Sequence, residues 1–224
     1  DFLYAPALRS ADNLNTFKST VKAIAGRNGL FASFMPKPLR DQAGSGLHVN
    51  ISLKRDGENL FAGDIQPDSE AGHFIAGILA RFGSCEAPQY ISWSRQNRSQ
   101  LVRLPSAQGE LCRMEMRSPD PSCNPHLAIG LILAAGLDGI QNKLPLPEPV
   151  NRNLFLHSST QGLESLPRSL REAITVAAES EFISNELPLA LLNKYFEHQT
   201  RLCPDYENAP DPEAWEREHC FPMI

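Results

Sequence analysis

A chain of 224 residues, 42% apolar and 21% charged, has the length of one large domain or two small ones and the composition of a soluble globular protein. Its formal net charge of −5 argues against a nucleic-acid or anionic-membrane partner, since either favours a basic face. The five cysteines are odd in number and include no C-x-x-C, which argues against a disulfide framework or a zinc knuckle and points to reduced thiols in the cytoplasm.

The chain opens at Asp1-Phe2-Leu3-Tyr4 without an initiator Met or a secretory signal, as a fragment or processed form would. Leu14, Phe17, Val21 and Ile24 recur at helical spacing and predict a helix over 12–25, started by Ser10 or Asp12 and ended by Gly26 or Gly29. Leu30 to Met35 reads as a strand stopped by Pro36 and Pro38, before a Gly/Ser-rich loop over 41–46. Residues 47–54 then alternate: Leu47, Val49, Ile51 and Leu53 share one face, and His48, Asn50, Ser52 and Lys54 the other. Asp56-Gly57 signals a hairpin turn, with Leu60-Phe61 on the return strand. A helix is expected over 70–81, and strands over 89–93, 100–104 and 113–117. Asn124-Pro125 starts a helix reaching about Lys143, with Asn as N-cap and Pro in the first turn. Its apolar run, Leu127 to Leu137, is too short to span a bilayer and reads as buried. Pro145, Pro147 and Pro149 make a stiff connector. Residues 165–201 read as helical and lead into a Pro/Glu/Asp-rich surface segment. Strands in runs, not alternating strictly with helices, favour an α+β fold with an antiparallel sheet.

Three groups could carry chemistry. The face His48/Asn50/Ser52 follows a Gly-Ser-Gly loop whose glycines permit close backbone approach to a ligand, although a solvated sheet face would look the same. Arg113, Glu115 and Arg117 share a strand face. They form either a surface ion-pair ladder or a carboxylate suited to a hard cation between guanidiniums suited to phosphate. Arg95, Arg98 and Arg103, with Asn97 among them, add cationic groups on a neighbouring segment. There is no Walker A sequence and no nucleophile elbow, which removes P-loop kinases and serine hydrolases.

Phe34-Met-Pro-Lys-Pro-Leu39, Gly44-Ser-Gly-Leu-His48, Asn97-Arg-Ser99, Arg113-Met-Glu-Met-Arg117, Ser118-Pro-Asp-Pro121 and Ala135-Gly-Leu-Asp-Gly139 stand in one order along the chain. Together they resemble the glutamine synthetase family, over nearly the whole sequence and more weakly after about residue 155. The resemblance implies the catalytic-domain fold of that family, guanido-kinase-like, with a curved antiparallel sheet and flanking helices. It makes residues 1–224 a catalytic-domain fragment without the N-terminal β-grasp domain, with 150–224 as a C-terminal helical segment. The implied reaction is ATP-dependent ligation of ammonia to the γ-carboxylate of glutamate through γ-glutamyl phosphate, with Mg²⁺ or Mn²⁺, in a cytoplasmic homo-oligomer.

By the same resemblance His48 and Glu115 match metal-ligand positions, and Gly44 a glutamate-loop position. Glu86 matches the flap acid that takes a proton from ammonium. Arg81, Arg98 and Arg117 match positions that handle glutamate or the moving phosphoryl group. Asn50, Ser52, Arg103 and Arg113 match nucleotide-contacting positions. Some residues depart from the pattern: Ala43 stands where members carry Asn, Glu110 near a nucleotide-binding Lys, and Phe155 where some members carry a modified Tyr. The family's Asn-Pro-Thr…Ser-Tyr-Lys stretch before Arg81 is missing, and that region, with Gly83–Glu86, is expected to be mobile. All other metal-binding glutamates fall before Asp1, so the isolated chain is expected to bind divalent metal weakly and to lack synthetase activity. Two other readings stay open: a ligase of the same fold that joins glutamate to another amine, and a noncatalytic domain that keeps only the scaffold.

Overall fold

A computed structural model describes residues 2–39, 41–82, 90–156 and 160–221. The core is built on two helices that local sequence signals delimit closely. In α2 (Glu70–Arg81) the Ser69 hydroxyl accepts the Gly72 N–H as N-cap, and Glu70 and Arg81 sit at the ends where their charges complement the helix dipole. The helix is apolar almost all round and is buried accordingly, with Phe74, Ile75 and Ile78 fully inaccessible. In α3 (Pro125–Gln141) the Asn124 side chain accepts from the N–H groups of His126 and Leu127, and Pro125 occupies the first turn.

These helices cross with their backbones in contact. A Cβ on Gly77 would lie 2.1 Å from the Ala135 carbonyl oxygen and 2.7 Å from Gly139 Cα. One on Gly139 would lie 2.1 Å from the His73 carbonyl oxygen, and the Phe74 ring fills the space beside Gly136. The Ala135–Gly139 motif is therefore a close-approach surface for α2.

A four-stranded sheet shares the core with α2, in the order β1 (Val49–Ile51), β6 (Met114–Met116), β5 (Val102–Arg103), β4 (Trp93–Ser94). Val102, Met114 and Met116 are fully buried in the core with Leu101 and Ile132. β2 (Lys54–Arg55) and β3 (Glu58–Asn59) form a separate hairpin. Its turn residues Asp56 (φ 52°) and Gly57 (φ 86°) are both left-handed, as a two-residue hairpin turn requires. That tight turn sets the register Arg55↔Glu58, so the return strand starts at Glu58, and the pairing reaches Leu60, whose N–H donates to the Leu53 carbonyl at 2.9 Å.

The fold is mixed α+β, and its sheet departs from the antiparallel expectation. β1/β6 and β6/β5 are antiparallel, but β5/β4 is parallel. Parallel neighbours normally need a long crossover. Here a short loop suffices because Asn97 braces it: its backbone N–H reaches Ser94 Oγ, its Oδ1 accepts from the Ser99 N–H, and its Nδ2 donates to the Arg152 carbonyl. Leu30 to Met35 forms no ladder. Side chains hold that stretch instead, Phe31 stacked on Phe221 and Phe34 edge-on to Phe17.

The first helix, α1 (Ala7–Arg27), starts earlier than its apolar spacing suggests, because Pro6 opens it while Ser10 and Asp12 are employed elsewhere. The Ser10 hydroxyl donates back to the Ala5 carbonyl, and Asp12 meets His126 Nε2 at 2.9 Å on α3. Phe17 and Ile24, two of the residues that gave the helical spacing, stay largely exposed. The proline connector lies along the sheet edge: Trp93 Nε1 donates to the Pro147 carbonyl and the Val150 N–H to the Trp93 carbonyl. Beyond it, helical propensity is divided by caps into α4 (Leu170–Ala178), α5 (Glu181–Glu186), α6 (Leu189–Glu207) and α7 (Pro212–His219). Ser180 caps α5 and Asp211 caps α7, so the acidic, proline-rich end is itself partly helical. Among the described residues no helix is long and apolar enough to cross a membrane.

Candidate active site

The polar residues of three strands meet in one row. Asn50 pairs with Glu115 across β1/β6, and Arg103 pairs with Glu115 across β5/β6. Period-2 alternation puts Met114 and Met116 into the core and turns Glu115 to the opposite side, where its side chain is still only 7% exposed. A buried carboxylate needs strong partners. Glu115 Oε2 accepts from an Arg103 amino nitrogen at 2.7 Å, and Oε1 accepts from Arg117. His48 Nδ1 lies 3.1 Å from Oε1.

Burial lowers the proton affinity of His48, and Arg117 adds to the effect while Glu115 opposes it. Arg103 and Arg98 also lower it, so Arg98, exposed at the braced loop, contributes to the same positive field. A neutral ring facing a carboxylate must carry its proton on Nδ1, which leaves a lone pair on Nε2. Gly46 packs against this ring, where a Cβ would lie 3.3 Å from Nε2, and Gly44 lets the loop press on the Pro36 carbonyl, where a Cβ would come within 2.6 Å.

A cleft of about 410 Å³ adjoins the row. Phe61, Ile65 and Leu104 give it apolar walls, and Arg95, Gln96 and Arg113 polar ones. Two contacts join cleft to row: Arg113 Nε donates to Asn50 Oδ1 at 2.9 Å, and Arg103 Nε donates to the Gln96 carbonyl at 3.1 Å. Asn59, buried beneath, directs its amide nitrogen at the carbonyls of Gly109, Glu110 and Cys112 and so ties the cleft's turn to the hairpin. Glu110 pairs with Lys54. A larger cleft of about 970 Å³, bordered by Arg171, Tyr206 and Trp215, holds none of the candidate residues.

The remaining candidates are placed differently. Ser52 lies just past β1, half-buried. Arg81 is not part of the row. Its Nε and an amino nitrogen meet Asp138 on α3 at 2.9 Å, and its guanidinium lies 5.5 Å from the Phe182 ring centroid. The region before Arg81, expected to be mobile, forms the last turn of α2. Glu86 and the Gly83–Glu86 stretch lie outside the described residues. Sequence reasoning missed Asn59 and Gln96. Gln96 acts through its backbone carbonyl, which no side-chain pattern reveals. Asn59 carried one faint signal, a lone amide just before the apolar pair Leu60-Phe61.

The described residues do not fit a divalent metal centre. A hard dication is held by several oxygen ligands together. Both oxygens of Glu115 already accept guanidinium hydrogen bonds, and no group of three His, Cys, Asp or Glu side chains that could hold a metal occurs among the described residues.

The family model described as "Glutamine synthetase, catalytic domain" matches residues 1–85 and 80–219. The chain belongs to the glutamine synthetase family. Among relatives, the glutamine synthetase of Staphylococcus epidermidis (strain ATCC 35984) is 40% identical over 243 residues, which cover 97% of this chain and 54% of the relative. That of Methanosarcina mazei is 39% identical over 249 residues, covering 100% and 55%. A solved structure described as "Apo GmaS without ligand" superposes with a TM-score of 0.82 at 30% identity, covering 97% of this chain and 54% of that one. Another, "GmaS/ADP complex-Conformation 1", gives 0.80 at 29% identity, covering 98% and 56%. The chain thus spans about half the length of the glutamine synthetases it matches. The family model matches in two segments that overlap at residues 80–85.

Proposed function

We propose that this chain supplies the nucleotide- and oxyanion-binding part of an ATP-dependent glutamate–ammonia ligase, working in a cytoplasmic homo-oligomer. The observation that carries this reading is the Asn50–Glu115–Arg103 row, which Arg113 and Gln96 join to a part-apolar cleft. Apolar walls beside guanidiniums suit a purine next to its phosphates. The ADP complex of the GmaS structure supports a nucleotide in a fold of this kind.

In the proposed reaction the γ-carboxylate of glutamate attacks the γ-phosphorus of ATP and ADP leaves. Ammonia then attacks the γ-glutamyl carbonyl and phosphate departs. Charge gathers on the phosphoryl oxygens, and positioned cations are the protein's means of stabilising it. Arg103 and Arg113, with Asn50 and Ser52, would orient the nucleotide. Arg117 and Arg98 would face the moving phosphoryl group, and Gly44 would let the glutamate-side loop approach. Glu86 is the proposed acceptor of the ammonium proton. Arg81, held by Asp138, would act at the edge of the glutamate site. Mg²⁺ or Mn²⁺, as the family implies, would need oxygen ligands other than Glu115, whose two oxygens both accept guanidinium hydrogen bonds.

The test is phosphate release from ATP with glutamate and hydroxylamine, run on this chain and on a longer reading frame that contains it. Glutamate-dependent turnover by the longer protein, absent from the 224-residue chain, is the expected result. ATP hydrolysis indifferent to glutamate in the longer protein would reject the ligase assignment, and turnover only with larger amines would redirect it to another acceptor.

A further inference from the structure

We infer that Glu115 in this chain serves as an anchor for two guanidiniums, and that Arg103 and Arg117 so held bind a phosphate-type oxyanion without a divalent cation. The inference rests on the site assignment above and departs from the metal-ligand role that the family resemblance gives Glu115. Its basis is the arrangement of donors and acceptors. One carboxylate group receives Arg103 on Oε2, Arg117 on Oε1 and His48 Nδ1 also toward Oε1. A carboxylate offers about four lone-pair sites, so little of its capacity is left for another ligand. A dication would have to displace a guanidinium and then remain beside it, with Arg98 and Arg113 close by.

The donor side is under-used. Arg103 places Nε on the Gln96 carbonyl and one amino nitrogen on Glu115. Arg117 places one amino nitrogen on Glu115, and its Nε is buried with no acceptor among the described residues. Two forks fixed on a shared carboxylate, each with donors to spare, ask for a compact acceptor with several oxygens. Tetrahedral oxyanions meet that need. With two guanidiniums against one carboxylate, the cluster carries net positive charge before Arg98 and Arg113 are counted.

The experiment is NMR of the ¹⁵N-labelled 224-residue chain, following the arginine Nε–H signals, with Arg103→Lys and Arg117→Lys used for assignment. Inorganic phosphate and ADP are titrated separately, first in EDTA and then in Mg²⁺. The expected result is that phosphate shifts the Arg103 and Arg117 signals in EDTA, with an affinity that changes by no more than about twofold in Mg²⁺. Arg103→Lys should weaken it by about tenfold, because a lysine cannot bridge Glu115 and an oxyanion as a fork does. Equimolar Mn²⁺ should leave both signals sharp. Shifts that require Mg²⁺, selective broadening of these two signals by Mn²⁺, or phosphate binding that leaves them unmoved would each overturn the inference. The ADP arm separates this from the site assignment. ADP that binds only with Mg²⁺ defeats the inference alone. ADP that moves neither these arginines nor the cleft residues in either buffer defeats the assignment as well.

Discussion

Gly139→Ala is expected to lower stability by about 3 kcal/mol, at the upper end of the range for overpacking, while Gly130→Ala in the same helix should raise it by about 0.5–1 kcal/mol. Both substitutions give α3 the residue with the best helix propensity, so propensity alone predicts stabilisation twice. Contacts reverse the sign at one site. The Cβ added at Gly139 would come 2.1 Å from the His73 carbonyl oxygen and 2.6 Å from Gly77 Cα, both backbone atoms that cannot turn aside. The helices must separate, and the Phe74 ring then loses its close contact with Gly136 across the interface. At Gly130, which is exposed, nothing lies within 4 Å of the added carbon. Thermal or urea unfolding of the two variants decides the matter. A Gly139→Ala protein as stable as the parent would show that the crossing is looser than described.

Glu115→Ala should cost about 3 kcal/mol and lower Tm by roughly 6–12 °C for a chain of this size. The loss comes from what remains behind. Arg103 and Arg117, with side chains only 19% and 15% exposed, would be left facing each other without their shared counter-charge. Their partial exposure allows some solvent screening, which keeps the figure at the lower end for broken buried pairs. Removing Arg117 along with Glu115 should recover part of it, since one uncompensated charge goes with the other. The Arg171–Glu207 pair is an internal control. It has equally good fork geometry, at 2.9 and 2.6 Å, but is exposed, so Glu207→Ala should barely move Tm. Equal effects of the two substitutions in a calorimetric scan would show that burial does not set the strength of the Glu115 cluster.

Much of the helical frame was legible because its determinants are local. The buried run from Glu70 to Arg81 and the Asn124-Pro125 start each name a boundary within a turn of chain. The same holds for the faces of single strands: alternation groups His48 with Asn50, and Arg113 with Glu115 and Arg117. Alternation carries no information about which strands become neighbours. The parallel β4/β5 pair depends on Asn97 bracing a loop, and that depends in turn on the Arg152 carbonyl, far along the chain. Arg81 reads as a site residue by motif, but Asp138 lies across the α2/α3 contact and captures it. Glu115 suits a metal by residue type, and only the cross-strand position of Arg103 shows how its oxygens are used. Phe17 and Ile24 follow helical spacing yet stay 44% and 54% exposed, because periodicity marks a face and does not say how completely other segments cover it.

The Asn97 loop also bears on the order of folding events. Val102 follows its partner Trp93 by only a few residues, so this parallel pair closes like a hairpin and forgoes the slow search that parallel pairing usually entails. By contrast, β1 must find β6 across 63 residues, the separation of Asn50 from Arg113. Loop-closure entropy therefore favours β4 and β5 forming first and β1 docking late. Substitutions at Trp93 should then slow folding, and those at Val49 or Ile51 should speed unfolding, a split that φ-values from stopped-flow kinetics would read directly. Since the row of Asn50, Glu115 and Arg103 exists only once β1 is in place, the chain would assemble its chemistry in the last steps of folding, on a sheet already formed.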